Sequence, residues 1–233
     1  MIKRLQFVGS SSGLGDRGDV ERLRAVLEAG ARADRSQRPL RVTLCQALDE
    51  VIPGQRHEAI GIEWFEDAGH LGRFERWSAT EQMDAHQLFD PVTSPLVVAE
   101  ESVLRGPEWL ERHWADRGEA YKHMAVARRA DGLTPQAFSE RWRSRAGTVV
   151  APGTGAATTI PDEAKGCAYV QNHPLVRAGG WAYDAINEVY FESIDGLGRR
   201  IAWFDEMLGS GTEDDLVAEH CFLAVAETVL TPG

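Results

Sequence analysis

An internal repeat limits this chain more than any other feature. Residues 58–77 (EAIGIEWFEDAGHLGRFERW) align without a gap on residues 184–203 (DAINEVYFESIDGLGRRIAW), at a shift of 184 − 58 = 126 positions. Ala59/Ala185, Ile60/Ile186, Phe65/Phe191, Glu66/Glu192, Leu71/Leu197, Gly72/Gly198, Arg73/Arg199 and Trp77/Trp203 are identical. The same shift sets residues 101–104 (ESVL) on 227–230 (ETVL). Two blocks in one register read as a duplication, so the chain is expected to fold as two copies of one small unit.

Each copy reads as strand, helix, strand, strand, helix, strand. In the first, strands are expected at 2–8, 40–47, 58–66 and 96–104, and helices at 20–33 and 68–77. In the second, strands are expected at 123–129, 166–171, 181–191 and 220–230. Its helices are expected at 134–145 and 197–208; Thr134 caps the first, Pro135 fits its first turn and Gly147 ends it. A linker helix is expected at 107–118, with Trp109 and Trp114 packing on the domain surface, and 151–157 (APGTGAA) reads as a loop. This βαββαβ order predicts an α+β chain of two ferredoxin-like modules that bury their sheets against each other. The boundaries are 1–106, a linker at 107–120, and 121–233.

Composition narrows the partners. The 233 residues carry a formal net charge of −11, and the basic side chains are scattered. Such a surface repels nucleic acid and anionic membranes, so neither is an expected partner. Arg141, Arg143 and Arg145 beside Glu140 read as a solvated helix face. Cys45, Cys167 and Cys221 are odd in number, widely spaced and set in apolar runs, which fits free thiols in a reducing cytoplasm. The first residues hold too short an apolar run for a signal peptide, and no stretch approaches the ~20 apolar residues that span a bilayer.

The segment from His123 to Trp142 (HMAVARRADGLTPQAFSERW) resembles the opening of EthD-like domains: a strand, a basic turn, a Gly-Leu-Thr-Pro helix start and a Trp one turn later. The pieces at 169–174, 184–192 and 220–227 fit the same pattern, so the likeness covers most of the second copy. It implies a (pseudo)dimeric α/β barrel. It also implies a set of reactions that includes dehydratases, cyclases, isomerases and cofactor-free monooxygenases. The family's helix often ends in His-Gly; here Ala146-Gly147 stands instead, which removes that histidine from any mechanism.

A glycine-rich turn at residues 8–15 (VGSSSGLG) imitates the phosphate-binding turn of short-chain dehydrogenases. That chemistry needs Tyr-x-x-x-Lys, yet Ala125, His173, Asn187 and Ile194 follow Tyr121, Tyr169, Tyr183 and Tyr190 at that spacing. Gly13-Leu14 also matches Gly132-Leu133, so the turn belongs to the repeat. No metal-ligand spacing and no nucleophile elbow appears, and neither a metal nor a cofactor is expected.

Acid–base side chains are therefore the candidates. In a split βαβ unit one rim collects the ends of strands one and two and the starts of strands three and four. In the second copy that rim should hold Arg128 or Arg129, His173, Tyr183, Asp184 and His220. The expected catalytic set is His173, His220, Asp184 and Tyr183, and the expected substrate contacts are Arg128, His123 and Trp181. Each has a plainer alternative: His173 before Pro174 as a loop residue, His220 beside Glu219 as a surface pair, Asp184 as a strand-edge cap. Trp64, Trp77, Trp181 and Trp203 read first as core. The first copy offers His57 and Glu58 at its rim but has Ser94 opposite His220, which favours the second copy as the active half. His86 and Phe89 fall in a loop placed to cover a sheet.

The leading expectation is a cofactor-independent lyase of the dehydratase or cyclase type, acting on an oxygenated small organic molecule. The alternatives are a non-catalytic small-molecule binding or accessory protein of a catabolic pathway, and a cofactor-free monooxygenase. The expected partner is a small-molecule substrate, with a homodimer as an option.

Overall fold

A computed structural model describes residues 1–9, 17–81, 88–150, 157–208 and 215–230. Most of the glycine-rich turn, His86 and most of the 151–157 loop lie outside the described residues.

Eight strands close into one antiparallel barrel in the order β1-β3-β2-β10-β5-β9-β8-β4. The first half supplies β1 (Ile2–Gly9), β2 (Arg41–Ala47), β3 (His57–Phe65) and β4 (Leu96–Arg105). The second supplies β5 (Ala120–Arg129), β8 (Ala168–Pro174), β9 (Ala185–Phe191) and β10 (Val217–Val229). Helices α1 (Arg17–Ala31) and α2 (Ala68–Thr80) follow β1 and β3. Helix α3 (Pro107–Asp116) joins the halves, and α4 (Pro135–Ser144) and α6 (Ile194–Leu208) follow β5 and β9. Helix α4 begins as its sequence implies, with the Thr134 hydroxyl accepting from the Ala137 N–H at 3.2 Å and Pro135 in the first turn.

Two seams join the halves. β2 pairs with β10 from Thr43↔Val229 to Ala47↔Val225, and β4 pairs with β8 from Ala99↔Pro174 to Arg105↔Tyr169. The sheets therefore share a continuous ladder, and no edge strand is left open in the barrel. Side chains alternate across it. Leu5, Phe7, Ile60, Ile62, Val97, Met124, Val126, Ile186, Leu223 and Val225 fill the interior.

One end of this apolar interior is ionic. Lys3 Nζ lies 2.6 Å from Glu188 and 2.9 Å from Glu101. Lys122 Nζ lies 2.7 Å from Glu188 and also pairs with Glu227, which His113 meets at 3.0 Å. Tyr190 Oη donates to Glu188 at 3.0 Å, and Asn172 Nδ2 donates to it at 2.9 Å. Burial by itself would raise the Glu188 carboxyl, but Lys122 and Lys3 hold it far below the usual carboxylate range. Both lysines sit in phase with the inward apolar residues of their strands, a signal the sequence displays and the reading passed over.

Helix α3 stands over this end. Half-buried Trp109 donates its indole N–H to Glu192 at 2.7 Å, but Trp114 does not pack on an outer surface as expected. Trp114 meets Trp64 edge to face at 5.7 Å, and His113 reaches inside to Glu227. The second half also carries elements the sequence reading missed: a hairpin of β6 (Thr148–Val150) and β7 (Ala157–Thr159), then a short helix α5 (Asp162–Lys165). β-branched residues flanking a glycine-rich turn were the available signal. No helix among the described residues is long and apolar enough to cross a membrane.

Candidate functional site

The rim proposed from topology exists: His57, Ser94, Arg128, His173, Tyr183, Asp184 and His220 all sit at the ends of β5 and β8 or at the starts of β3, β4, β9 and β10. Strand alternation then divides them between two faces of the barrel wall.

Tyr183 turns inward. Its hydroxyl meets His57 Nε2, and both rings pack on Phe7. These partners are repeat equivalents, since 183 − 57 = 126. Burial, and then the nearby Arg56 charge, lowers His57 to about 4, while burial raises the Tyr183 phenol. The pair is neutral and closes that end of the barrel.

Asp184 receives the Arg129 backbone N–H at 3.0 Å and the Arg129 guanidinium. Arg128 points to solvent and reaches Glu219 at 3.5 Å. His173 packs beneath α4, where its Nε2 accepts from Arg143 Nε at 3.2 Å and its Nδ1 lies 3.3 Å from Ser139 Oγ. Burial and the Arg143 charge lower His173 to about 4. Trp181 donates to the Leu175 carbonyl and stacks on Arg177, at a cleft of about 50 Å³. The structure thus does not bring His173, Tyr183, Asp184 and His220 into one constellation.

His220 and His123 do share a cavity, of about 160 Å³, between the outer face of the second half and its helical layer. Ladder pairing arranges its floor in rows. Tyr169, Val189 and His123 form one; Gln171, Asn187, Ala125 and Phe222 form the next; Ala127 and His220 lie in the third. Successive rows are ~6.8 Å apart along the strands and neighbouring strands ~4.8 Å apart, so the floor runs ~20 Å diagonally from Tyr169 on β8 to His220 on β10. Trp142, β6, Ile160, Arg200 and Phe204 form the roof. A second cavity, of about 330 Å³, lies under Val51–Pro53 and shares His123, Phe204, His220 and Phe222 with the first.

The polar groups of the first cavity are tightly fixed. Arg200 Nε donates to His123 Nδ1 at 2.8 Å, and its Nη1 donates to the Ala164 carbonyl at 2.6 Å. A guanidinium can only donate, so His123 must carry its proton on Nε2. Burial and the Arg200 charge hold its pKa well below the ordinary histidine value, so it offers a neutral N–H, wedged between Phe204 and Phe222. Gln171 Nε2 donates to Tyr169 Oη at 2.8 Å, leaving the Tyr169 proton for another acceptor. Burial raises the Tyr169 pKa and keeps it a phenol. Trp142 Nε1 donates to Asn187 Oδ1 at 3.0 Å, which fixes that amide.

Four cations line this cavity, Arg105, Arg145, Lys165 and Arg200, and no Asp or Glu does among the described residues. Lys165 and Arg145 have exposed partners in Asp162 and Asp215. Arg105 and Arg200 are held instead by the carbonyls of Lys165 and Ala164. Sequence reasoning missed Arg105 and Arg200. One comes from the last strand of the first half and the other from the outer layer of the second, and nothing in a linear pattern joins them.

No family model and no curated protein matches this chain. Among solved structures, an anthrone oxidase-like protein aligns over 99% of this chain and 93% of its own, at a TM-score of 0.56 and 13% identity. A protein of Lactobacillus acidophilus NCFM provisionally named a monooxygenase aligns over 100% and 96%, at 0.41 and 8%. Another so named, from Fusobacterium nucleatum subsp. nucleatum ATCC 25586, aligns over 99% and 92%, at 0.48 and 6%. An identity of 13% at a TM-score of 0.56 speaks for a shared fold alone. The expected dehydratase- or cyclase-type lyase is corrected by the protein at 0.56, which is named for oxidase-like and not lyase chemistry.

Proposed function

We propose that the chain is a fused pair of EthD-like α/β modules acting as an oxygenase on an electron-rich, ionisable aromatic molecule held in the cavity of the second half. The fusion reading rests on repeat partners that occupy matching places: His57 against Tyr183, and Glu101 and Glu227 both turned to buried lysines. The function reading rests on one observation above all. The cavity combines aromatic walls, a neutral histidine donor and a cationic lining without carboxylates among the described residues. Such a lining stabilises an aromatic oxyanion over its protonated parent. The likeness to an anthrone oxidase-like protein agrees with it, as fold analogy.

In this reading His220 takes the acidic proton of an anthrone-like or quinol-like substrate, and His123 Nε2–H or the Asn187 amide hydrogen-bonds the oxygen that gains charge. The delocalised anion then reduces dioxygen. For an anthrone, one oxygen atom enters the ring carbon, whose two hydrogens leave with the other as water, giving the quinone.

The test is oxygen uptake by the purified protein on addition of anthrone, followed together with the quinone absorbance. Uptake and quinone should rise in equal amounts, and His220→Ala should slow both by about 100-fold or more without lowering the melting temperature. No uptake above the buffer rate with anthrone or a hydroquinone would overturn the reading.

A further inference from the structure

We propose that the Tyr169 end of the cavity is a carboxylate subsite, so that the aromatic ligand carries an acidic group there and a hydroxyl near Gln171. This rests on the aromatic-ligand reading above and extends it to the ligand's second functional group.

Arg105 and Arg200 are the core of the argument. Their guanidiniums grip neighbouring carbonyls, Lys165 and Ala164, and so two like charges stand close together at one end of the cavity. Among the described residues neither has a carboxylate at ion-pair distance; Asp162 acts on Arg105 only from farther off and is itself paired with Lys165. Burying cations side by side costs free energy unless an anion joins them. Arg105 Nε is buried and makes no hydrogen bond, so the fork keeps a donor open. Tyr169 adds a second donor, because its oxygen already accepts from Gln171. Arginine forks and a phenol hydroxyl match a planar carboxylate, which accepts several hydrogen bonds at once.

Gln171 supplies the independent mark. It is 1% exposed, lines the cavity, and its Oε1 has no partner. An orphaned, buried amide oxygen costs free energy that a ligand O–H recovers. It lies one row from Tyr169 on the same strand, so a hydroxyl and a carboxylate on adjacent ring carbons meet the two groups together.

The experiment measures binding by calorimetry with three probes: 3-hydroxy-2-naphthoate, 2-naphthol, which lacks the carboxylate, and 2-naphthoate, which lacks the hydroxyl. The hydroxynaphthoate should bind at least about tenfold more tightly than 2-naphthol, and 2-naphthoate should fall between them. Arg105→Gln should erase the carboxylate advantage while leaving 2-naphthol affinity in place, and Gln171→Leu should erase the hydroxyl advantage and, by releasing Tyr169 Oη, weaken but not abolish the carboxylate one. Equal affinity of the wild-type protein for hydroxynaphthoate and 2-naphthol overturns the subsite, and so does an Arg105→Gln variant that keeps the preference. Binding requires no turnover. A carboxylate preference without oxygen uptake leaves the subsite standing and removes the oxygenase reading, while uptake without the preference does the reverse.

Discussion

His57, His173 and His123 show how burial fixes the charge of a side chain. Each is enclosed, and two of them face an arginine donor that a protonated ring could not accept from. The folded protein therefore keeps all three neutral, with His57 and His173 at about 4, whereas an unfolded chain protonates histidine at ~6.5. Because these folded values are depressed, their contribution is complete above pH ~6.5 and is lost as the pH falls towards 4. Melting temperatures should accordingly drop by several degrees between pH 7 and pH 4.5. His173→Gln keeps an acceptor for Arg143 and should flatten that drop; an unchanged slope would show that His173 titrates normally. At this scale the sequence was partly legible. His220 and His123 were visible as chemistry-bearing side chains, but strand parity and the roof decide which histidines share a cavity, and the repeat carries neither.

Among the elements, helix α3 does the work of a stopper. Its Trp114 fills the end of the barrel between Trp64 and the Arg41 guanidinium, which lies 3.3 Å from its ring. Trp114→Ala should cost about 3 kcal/mol in urea unfolding, with the fold retained, and Trp114→Phe should recover much of it. A loss below ~1 kcal/mol would mean that α3 merely rests on the barrel. The alternation of strands and helices was readable from periodicity and capping residues, as Thr134-Pro135 shows. The β6–β7 hairpin was not, because three-residue strands are too short to display a period. Its strand β6 helps roof the cavity, so the site's enclosure was not legible either.

At the level of the whole molecule, the ion network ties the halves together: Lys3 of β1 meets Glu188 of β9, which also holds Lys122. Removing one member leaves buried charge uncompensated. Glu188→Gln should therefore destabilise the protein by about 3–5 kcal/mol. Glu219→Gln, at the exposed Arg56 and Arg128 pair, should cost less than about 1 kcal/mol. Equal losses in urea titrations of the two variants would deny the network its role. The repeat made two matching sets of strands legible. It did not reveal the seams, which depend on register between segments that share no sequence pattern.

Those seams also set a timetable. β10, at residues 217–229, is the last described strand, and it lies between β2 of the first half and β5 of the second. A nascent chain carrying the first half alone must therefore wait on the ribosome with β2 and β4 unpaired on one side, exposed to other chains. The ring can shut only after β10 has emerged, and the long sequence separation of the strands it joins makes closure the slow step of maturation.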